Sequence, residues 1–210
     1  GSVGFTIKTK ENYPIKRVSD KNFILEAQAE ISSPTVPYYV AADKTIGLAD
    51  SKTKVNGKVV ITSEAFFDDS ASGIINQGPL PPKVNAPTDF TIHWKIINYS
   101  TDVSNIEISA SLVSGVRWTG QVKSNISATP TYNERTGQVS WLIDKIPATK
   151  GAVSSPVEAI FQIEATPNVI QASQPMPLIS ATNLKALDGF TNIELTSQAK
   201  EVNTQSTVIP

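Results

Sequence analysis

Apolar and polar side chains alternate with a period of two through much of the chain, in stretches rich in Ile, Val, Thr and Ser. In residues 89–98, Phe90, Ile92, Trp94 and Ile96 share one face, and mostly polar residues share the other. This alternation is typical of a β-strand with one buried face. The same pattern predicts strands at residues 105–112, 116–122, 138–144, 157–165, 178–187 and 190–199. About seven strands over roughly 120 residues are typical of an immunoglobulin-like (Ig-like) antiparallel β-sandwich.

Turn-forming residues separate these predicted strands. Residues 133–137 predict a hairpin turn in which Gly137 adopts a positive φ, and residues 187–189 predict a second turn. The fold class is therefore all-β, with antiparallel neighbours joined by short connections.

The proline-rich stretch before residue 89 predicts a domain boundary. Residues 76–88 contain four prolines without an apolar period, so they cannot pair as a central strand. We therefore predict a stiff linker at 76–88 and a complete Ig-like module at 89–210. Residues 1–75 are predicted to form a partial module with strands at 23–31, 45–48 and 58–67.

A short internal repeat supports this division. Residues 28–34 (QAEISSP) are similar to residues 162–167 (QIEATP), and residues 61–65 (ITSEA) are similar to residues 195–199 (LTSQA). The first part therefore resembles the C-terminal half of the second. We expect two Ig-like modules in tandem, the first of them reduced or truncated.

Composition excludes several classes of protein. The chain has no cysteine and one histidine, which excludes disulfide scaffolds, cysteine nucleophiles and two-histidine metal sites. The formal net charge of -1 gives no electrostatic reason to expect a nucleic-acid partner. No apolar run approaches the roughly 20 residues that a membrane span needs. No glycine pattern matches a nucleotide-binding loop or a serine-hydrolase elbow.

Four segments resemble a known family. Residues 81–92 (PPKVNAPTDFTI), 96–98 (IIN), 112–118 (LVSGVRW) and 137–143 (GQVSWLI) are similar to the conserved-repeat Ig-like module of large bacterial and archaeal cell-surface proteins. One departure is residues 86–88, which replace the Gly-Asp of the usual opening turn. The resemblance implies a non-catalytic building block displayed outside the cytoplasm, often in tandem, with no catalytic residues to transfer.

Few residues are candidates for chemistry. His93 is the sole candidate general base, and it is predicted to lie on the outer, solvent-facing side of its strand. Asp68 and Asp69 adjoin at a strand end and could bind calcium together with nearby serines, although a solvated turn is the simpler explanation. Glu26 and Glu30 share one strand face, where water contact accounts for them. No pair of carboxylates is placed as a glycosidase would need.

Exposed aromatic rings could contact a glycan, because sugar rings stack on apolar ring faces. Trp94 and Trp141 occupy inward strand positions and are predicted to pack in the core. Trp118 lies near a strand end, and Tyr38 and Tyr39 form a pair after a proline. These three residues are the candidate glycan contacts.

The sequence thus predicts a non-enzymatic, extracellular surface module that acts as a rigid spacer or as a lateral assembly unit. Its expected partners are neighbouring modules of the same or another surface protein. The alternative is a carbohydrate-binding or adhesive module that contacts cell-wall or host glycan. No cofactor is expected apart from the calcium considered above, and no nucleic-acid partner or membrane insertion.

Overall fold

The computed structural model describes residues 13–32, 45–171, 174–205 and 207–208, together with residues 4, 6, 8, 35, 37 and 39. The strands are β1 Ile24–Ser32, β2 Thr45–Lys54, β3 Val59–Phe66, β4 Thr88–Asn98, β5 Val103–Ser111, β6 Val116–Ser124, β7 Thr131–Asn133, β8 Gln138–Ile146, β9 Val157–Ala165, β10 Pro177–Ile179, β11 Thr182–Asp188, β12 Glu194–Ala199, β13 Val202–Asn203 and β14 Thr207–Val208. Two single-turn 3-10 helices lie at Ser70–Ser72 and Val169–Gln171.

Two five-stranded sheets form a β-sandwich. Sheet I has the order β14-β3-β4-β9-β6, and sheet II has the order β12-β11-β5-β8-β7. Neighbouring strands are antiparallel, except that β14 runs parallel to β3. The all-β sandwich predicted from the alternation is confirmed. Gly137 has the expected positive φ of 67° in the turn between β7 and β8.

The core lies between the inward faces of the two sheets. Trp94 in sheet I and Trp141 in sheet II are fully buried, as their strand positions predicted. The Trp94 ring meets Phe161 edge to face, with centroids 4.9 Å apart, and the Trp141 indole N–H donates to the Ala128 carbonyl at 3.0 Å. The alternation along each strand therefore sets which side chains fill the core.

The predicted boundary at residues 76–88 does not separate two modules. Strand β3, which was assigned to the first module, pairs along its whole length with β4, so that Ile61 lies opposite Ile96. Val59, Ile61 and Ala65 are buried in the same hydrophobic core as β4. The prolines exclude this segment from a central strand, but they are compatible with a loop joining two neighbouring strands of one sheet.

The remainder of the predicted partial module forms a two-stranded sheet of β1 and β2, not a sandwich of its own within the described residues. Every residue of β1 is exposed. The two copies of the repeat therefore lie in different environments. Gln28 is exposed on β1, whereas Gln162 is 2% exposed in β9. The described residues of 1–75 do not form the predicted partial module, because sequence similarity over a few strand residues does not specify burial.

Contacts at its base attach the β1–β2 hairpin to one end of the sandwich. The Asn22 backbone N–H donates to the Ser100 carbonyl at 2.8 Å, and the Lys54 ammonium donates to the Phe190 carbonyl at 2.9 Å. The Tyr13 hydroxyl donates to the Asn56 carbonyl at 2.8 Å. The Tyr13 ring also lies 6.1 Å from the ring of Tyr99. These contacts connect the base of the hairpin to the sandwich.

Candidate functional site

The outer face of sheet I is covered by the first part of the β3–β4 connection, residues 67–77, which we call the strap. Ile74 of the strap is 3% exposed. Beneath the strap, Thr91 and His93 of β4 and Gln162 of β9 are buried although they point away from the core. The strap therefore creates a second, mostly polar buried layer on this side of the sandwich.

Side-chain amides hold the C-terminal half of the strap. Asn76 Nδ2 donates to the Phe67 carbonyl at 2.9 Å and to the Phe66 carbonyl at 3.2 Å. Gln162 Nε2 donates to Asn76 Oδ1 at 2.9 Å and to the Ile75 carbonyl at 3.0 Å. Because a buried polar group without a partner is costly, these bonds make strap and sheet mutually dependent.

His93 links the N-terminal half of the strap to the sheet. Its Nε2 lies 2.8 Å from Asp69 Oδ2, and its Nδ1 lies 2.9 Å from Glu158 Oε1. The side chains of His93 and Asp69 are 10% and 5% exposed, and that of Glu158 is 28% exposed. The prediction that His93 is a surface residue is wrong, because the strap folds back over the face on which it lies.

Within this cluster, the neighbours of Asp69 favour its charged form. Burial would raise the pKa of Asp69, but hydrogen bonding, above all to His93, outweighs burial and holds the pKa below its usual range. Lys95 lies 3.8 Å from Glu158 and 3.5 Å from Glu64. The ring of Phe66 packs against the imidazole with centroids 4.6 Å apart.

The cluster fastens the strap to sheet I. Both imidazole nitrogens face carboxylate oxygens, one from the strap and one from β9. A cavity of about 220 Å³ lies beside it, lined by Ser72, Lys123, Asn125 and Glu158 among others. Lys123 Nζ donates to the Ser72 carbonyl, which adds a further connection between strap and sheet.

The structure does not bring the predicted calcium ligands together. Asp69 is buried and directed at His93, whereas Asp68 is exposed. Within the described ranges, no group of three His, Cys, Asp or Glu residues is placed to hold a metal ion. With Asp69 engaged by the imidazole, Asp68 alone of the predicted pair is available to a cation.

The three candidate glycan contacts lie in different settings. Trp118 is half-buried, and its ring stacks on that of Tyr132 with centroids 5.6 Å apart and planes 16° apart. Its ring also lies 5.2 Å from that of Phe161, so Trp118 contributes to the core. Tyr39 is 87% exposed. Tyr38 lies outside the described residues.

The two faces of the β1–β2 hairpin differ in charge, which the sequence analysis did not recognise. The strand register places Glu26 opposite Lys52 on one face, where their side chains form a 2.9 Å ion pair. Glu30 and Asp50 lie on this same face. The other face carries no ionisable side chain and is formed by Leu25, Ala27, Ala29, Ile31, Gly47, Ala49, Ser51 and Thr53. Alternation alone could have identified these faces once the register was known.

The chain folds as an all-β sandwich. It is similar to a variant of the major pilin subunit BcpA of Bacillus cereus, at 11% identity and a TM-score of 0.43 over 84% of this chain and 47% of that one. It is also similar to the full-length major pilin SpaD of Corynebacterium diphtheriae, at 8% identity and a TM-score of 0.43 over 95% and 64%. A C-terminal fragment of the major pilin of Streptococcus agalactiae gives 8% identity and a TM-score of 0.39 over 71% and 56%.

The chain spans less than two thirds of each of these three structures. At such identities the likeness concerns the backbone alone and assigns no residue a role. No protein-family model matches the chain, and no curated protein matches it. In the described part of the chain, no helix has the length and apolar character of a membrane span.

Proposed function

We propose that the chain is a non-catalytic structural module of an extracellular surface protein, which acts as a rigid spacer and as a lateral assembly unit. The observation that carries this proposal is the β1–β2 hairpin, in which every residue of β1 is exposed and one face carries no charge. An isolated two-stranded hairpin is only marginally stable in water, so a partner on its uncharged face would stabilise it.

The partner we propose is the same face of a second copy of the chain. Two uncharged faces do not repel one another, and the central residues Ala27, Ala29 and Ala49 are small enough to let two sheets approach closely. Their like-for-like contact would be an isologous interface. Eight residues cover well under the ~800 Å² per partner of a standard interface, so we expect weak association that becomes effective where copies are held close together.

The experiment uses the absence of cysteine in the chain. Ala27→Cys places a single thiol on the uncharged face, and Gln28→Cys places one on the charged face of the same strand. Under mild oxidation, Ala27→Cys is expected to give disulfide-linked dimer in clear excess over Gln28→Cys. A second test is Ala27→Asp in the wild-type background, which is expected to abolish concentration-dependent association measured by sedimentation. Equal dimer yields for the two cysteine variants would contradict the assignment of this face.

A carbohydrate-binding or adhesive function is the second candidate, favoured by the exposure of Tyr39. A glycan array probed with wild-type chain, Tyr39→Ala and Trp118→Ala tests it. Saturable binding that Tyr39→Ala removes would support this function. If the wild-type chain binds no glycan on the array, assembly remains as the single proposed function.

A further inference from the structure

His93 is the only histidine of the chain, and its two ring nitrogens both lie within hydrogen-bond distance of a carboxylate oxygen. A neutral imidazole carries one N–H, whereas an imidazolium carries two. Only the doubly protonated ring can therefore donate to Asp69 and Glu158 at once. These two acceptors belong to different parts of the fold, since Asp69 lies in the strap and Glu158 lies in β9.

We propose that Asp69, His93 and Glu158 form a pH-sensitive clasp, which holds the strap on sheet I while His93 carries two protons and loosens it when the ring loses one. Nothing in the spacer or assembly function requires this device, so it is independent of the function proposed above.

Charged side chains from four strands and from the strap surround the ring. Glu64 of β3 lies directly opposite His93 in the strand register, Asp69 approaches from the strap and Glu158 approaches from β9. Two cations counter these three carboxylates. Lys95 of β4 is shared between Glu64 and Glu158, and Lys123 of β6 is engaged by the Ser72 carbonyl. The two side chains in hydrogen-bond contact with the ring are thus both carboxylates.

The direction of the pH effect follows from proton counting. As the pH rises through the imidazole titration, one ring nitrogen becomes a lone pair that faces a carboxylate, so a hydrogen bond turns into a repulsion. On the acid side, the contribution of Asp69 is present above the ordinary pKa of aspartate and is lost as the pH falls through its lowered value. The clasp is therefore closed between the carboxylate titration and the imidazole titration, and it opens above the latter.

Loosening is expected at one end of the strap only. Asn76 and Gln162 hold the C-terminal half through amide groups that do not titrate. Two backbone hydrogen bonds can be followed beside the clasp. The Ser72 N–H donates to the Asp69 carbonyl, and the Gly73 N–H donates to the Ser70 carbonyl. Faster hydrogen exchange at these two amides would report an open clasp.

The first measurement is made on the wild-type chain. Because there is one histidine, its ring nitrogen resonances are unambiguous by NMR from about pH 5.5 to about pH 9. We expect both nitrogens to be protonated at the acid end and one to lose its proton toward the alkaline end. Over the same range, the protection factors of Ser72 and Gly73 are expected to fall about tenfold, which corresponds to one lost charge-assisted bond, while that of Gly137 stays constant. A ring that is neutral throughout, or strap protection that does not change as the ring titrates, would overturn the proposal.

Matched variants separate the clasp from general charge effects. Glu158→Gln removes one acceptor of the clasp, whereas Glu164→Gln makes the same change on the same strand at a residue that pairs with Arg117 instead. Strap protection is expected to lose its pH dependence in Glu158→Gln and in His93→Gln, and to keep it in Glu164→Gln. Retention of the dependence in the first two would overturn the proposal. If either fails to fold, the wild-type titration decides alone.

Discussion

The backbone N–H of Ile61 donates to Ser197 Oγ at 3.1 Å, and this bond joins the edges of the two sheets. Ile61 lies in β3 of sheet I, and Ser197 lies in the edge strand β12 of sheet II. Among the described residues, sheet I continues beyond β3 only with the two-residue strand β14, which pairs with Ala65 and Phe66. The Ile61 amide is therefore satisfied by a side chain from the opposite sheet and not by a neighbouring strand.

Removal of the Ser197 hydroxyl is expected to weaken the contact between the edges of the two sheets. Ser197→Ala should lower the free energy of unfolding by about 1 kcal/mol, because it leaves a buried backbone amide without a partner. Thr196→Ala, at an exposed position beside it, is the control and should leave the stability nearly unchanged. Urea unfolding of the three proteins measures the difference. Equal midpoints for Ser197→Ala and wild type would show that the bond does not contribute.

The other side of the sandwich is closed by aromatic stacking between Trp118 of β6 and Tyr132 of β7. Trp118→Ala is expected to destabilise the chain by about 3 kcal/mol, because it removes a half-buried ring that also packs on Phe161. Trp118→Phe should retain much of the stability, and Tyr39→Ala at an exposed position should retain all of it. Thermal unfolding checks all three. A fully stable Trp118→Ala would instead favour the ring as a surface contact.

The sequence predicted the sandwich well because alternation reports directly on burial. In residues 89–98 the inward positions were identified correctly, and Trp94 and Trp141 are core residues as expected. Alternation could not predict the strap. It distinguishes the two faces of a strand, but it carries no information about a distant segment that covers the polar face, so His93 was assigned to the surface. The module boundary failed for a related reason, because prolines indicate where a strand cannot continue and not which strands pair afterwards.

Asn98 is a third point on which the fold depends. It is fully buried, and its Nδ2 donates to the carbonyls of Thr101, Ile146 and Pro147 at 2.8, 3.2 and 2.9 Å. Asn98→Ala should cost about 3 kcal/mol, since it leaves buried carbonyls unpaired and opens a cavity. The exposed Asn183, changed to alanine, is the matched control. Denaturant unfolding distinguishes them, and a small effect at Asn98 would mean that water replaces the amide.

Asp188 is expected to dominate the acid sensitivity of the region where the β2–β3 connection meets the turn between β11 and β12. It is fully buried and accepts N–H groups from Gly57 at 2.6 Å and from Phe190 at 2.8 Å. Burial would raise its pKa, but these bonds outweigh burial and lower the pKa below the usual range. Its contribution to stability is therefore present above the ordinary pKa of aspartate and is lost as the pH falls through the lowered value.

The change that tests this contribution is Asp188→Asn, which keeps the size of the side chain and removes its charge. The variant should be less stable than wild type near neutral pH, and the difference should shrink as both are taken to acid, because wild-type Asp188 then becomes protonated and loses its charge-assisted bonds. Asp144→Asn, at an exposed position on β8, should unfold in parallel with wild type at every pH. Thermal unfolding from about pH 2.5 to about pH 7 measures all three proteins. A gap between Asp188→Asn and wild type that does not change with pH would assign the loss to altered packing, because only a titrating carboxylate makes the difference depend on acid.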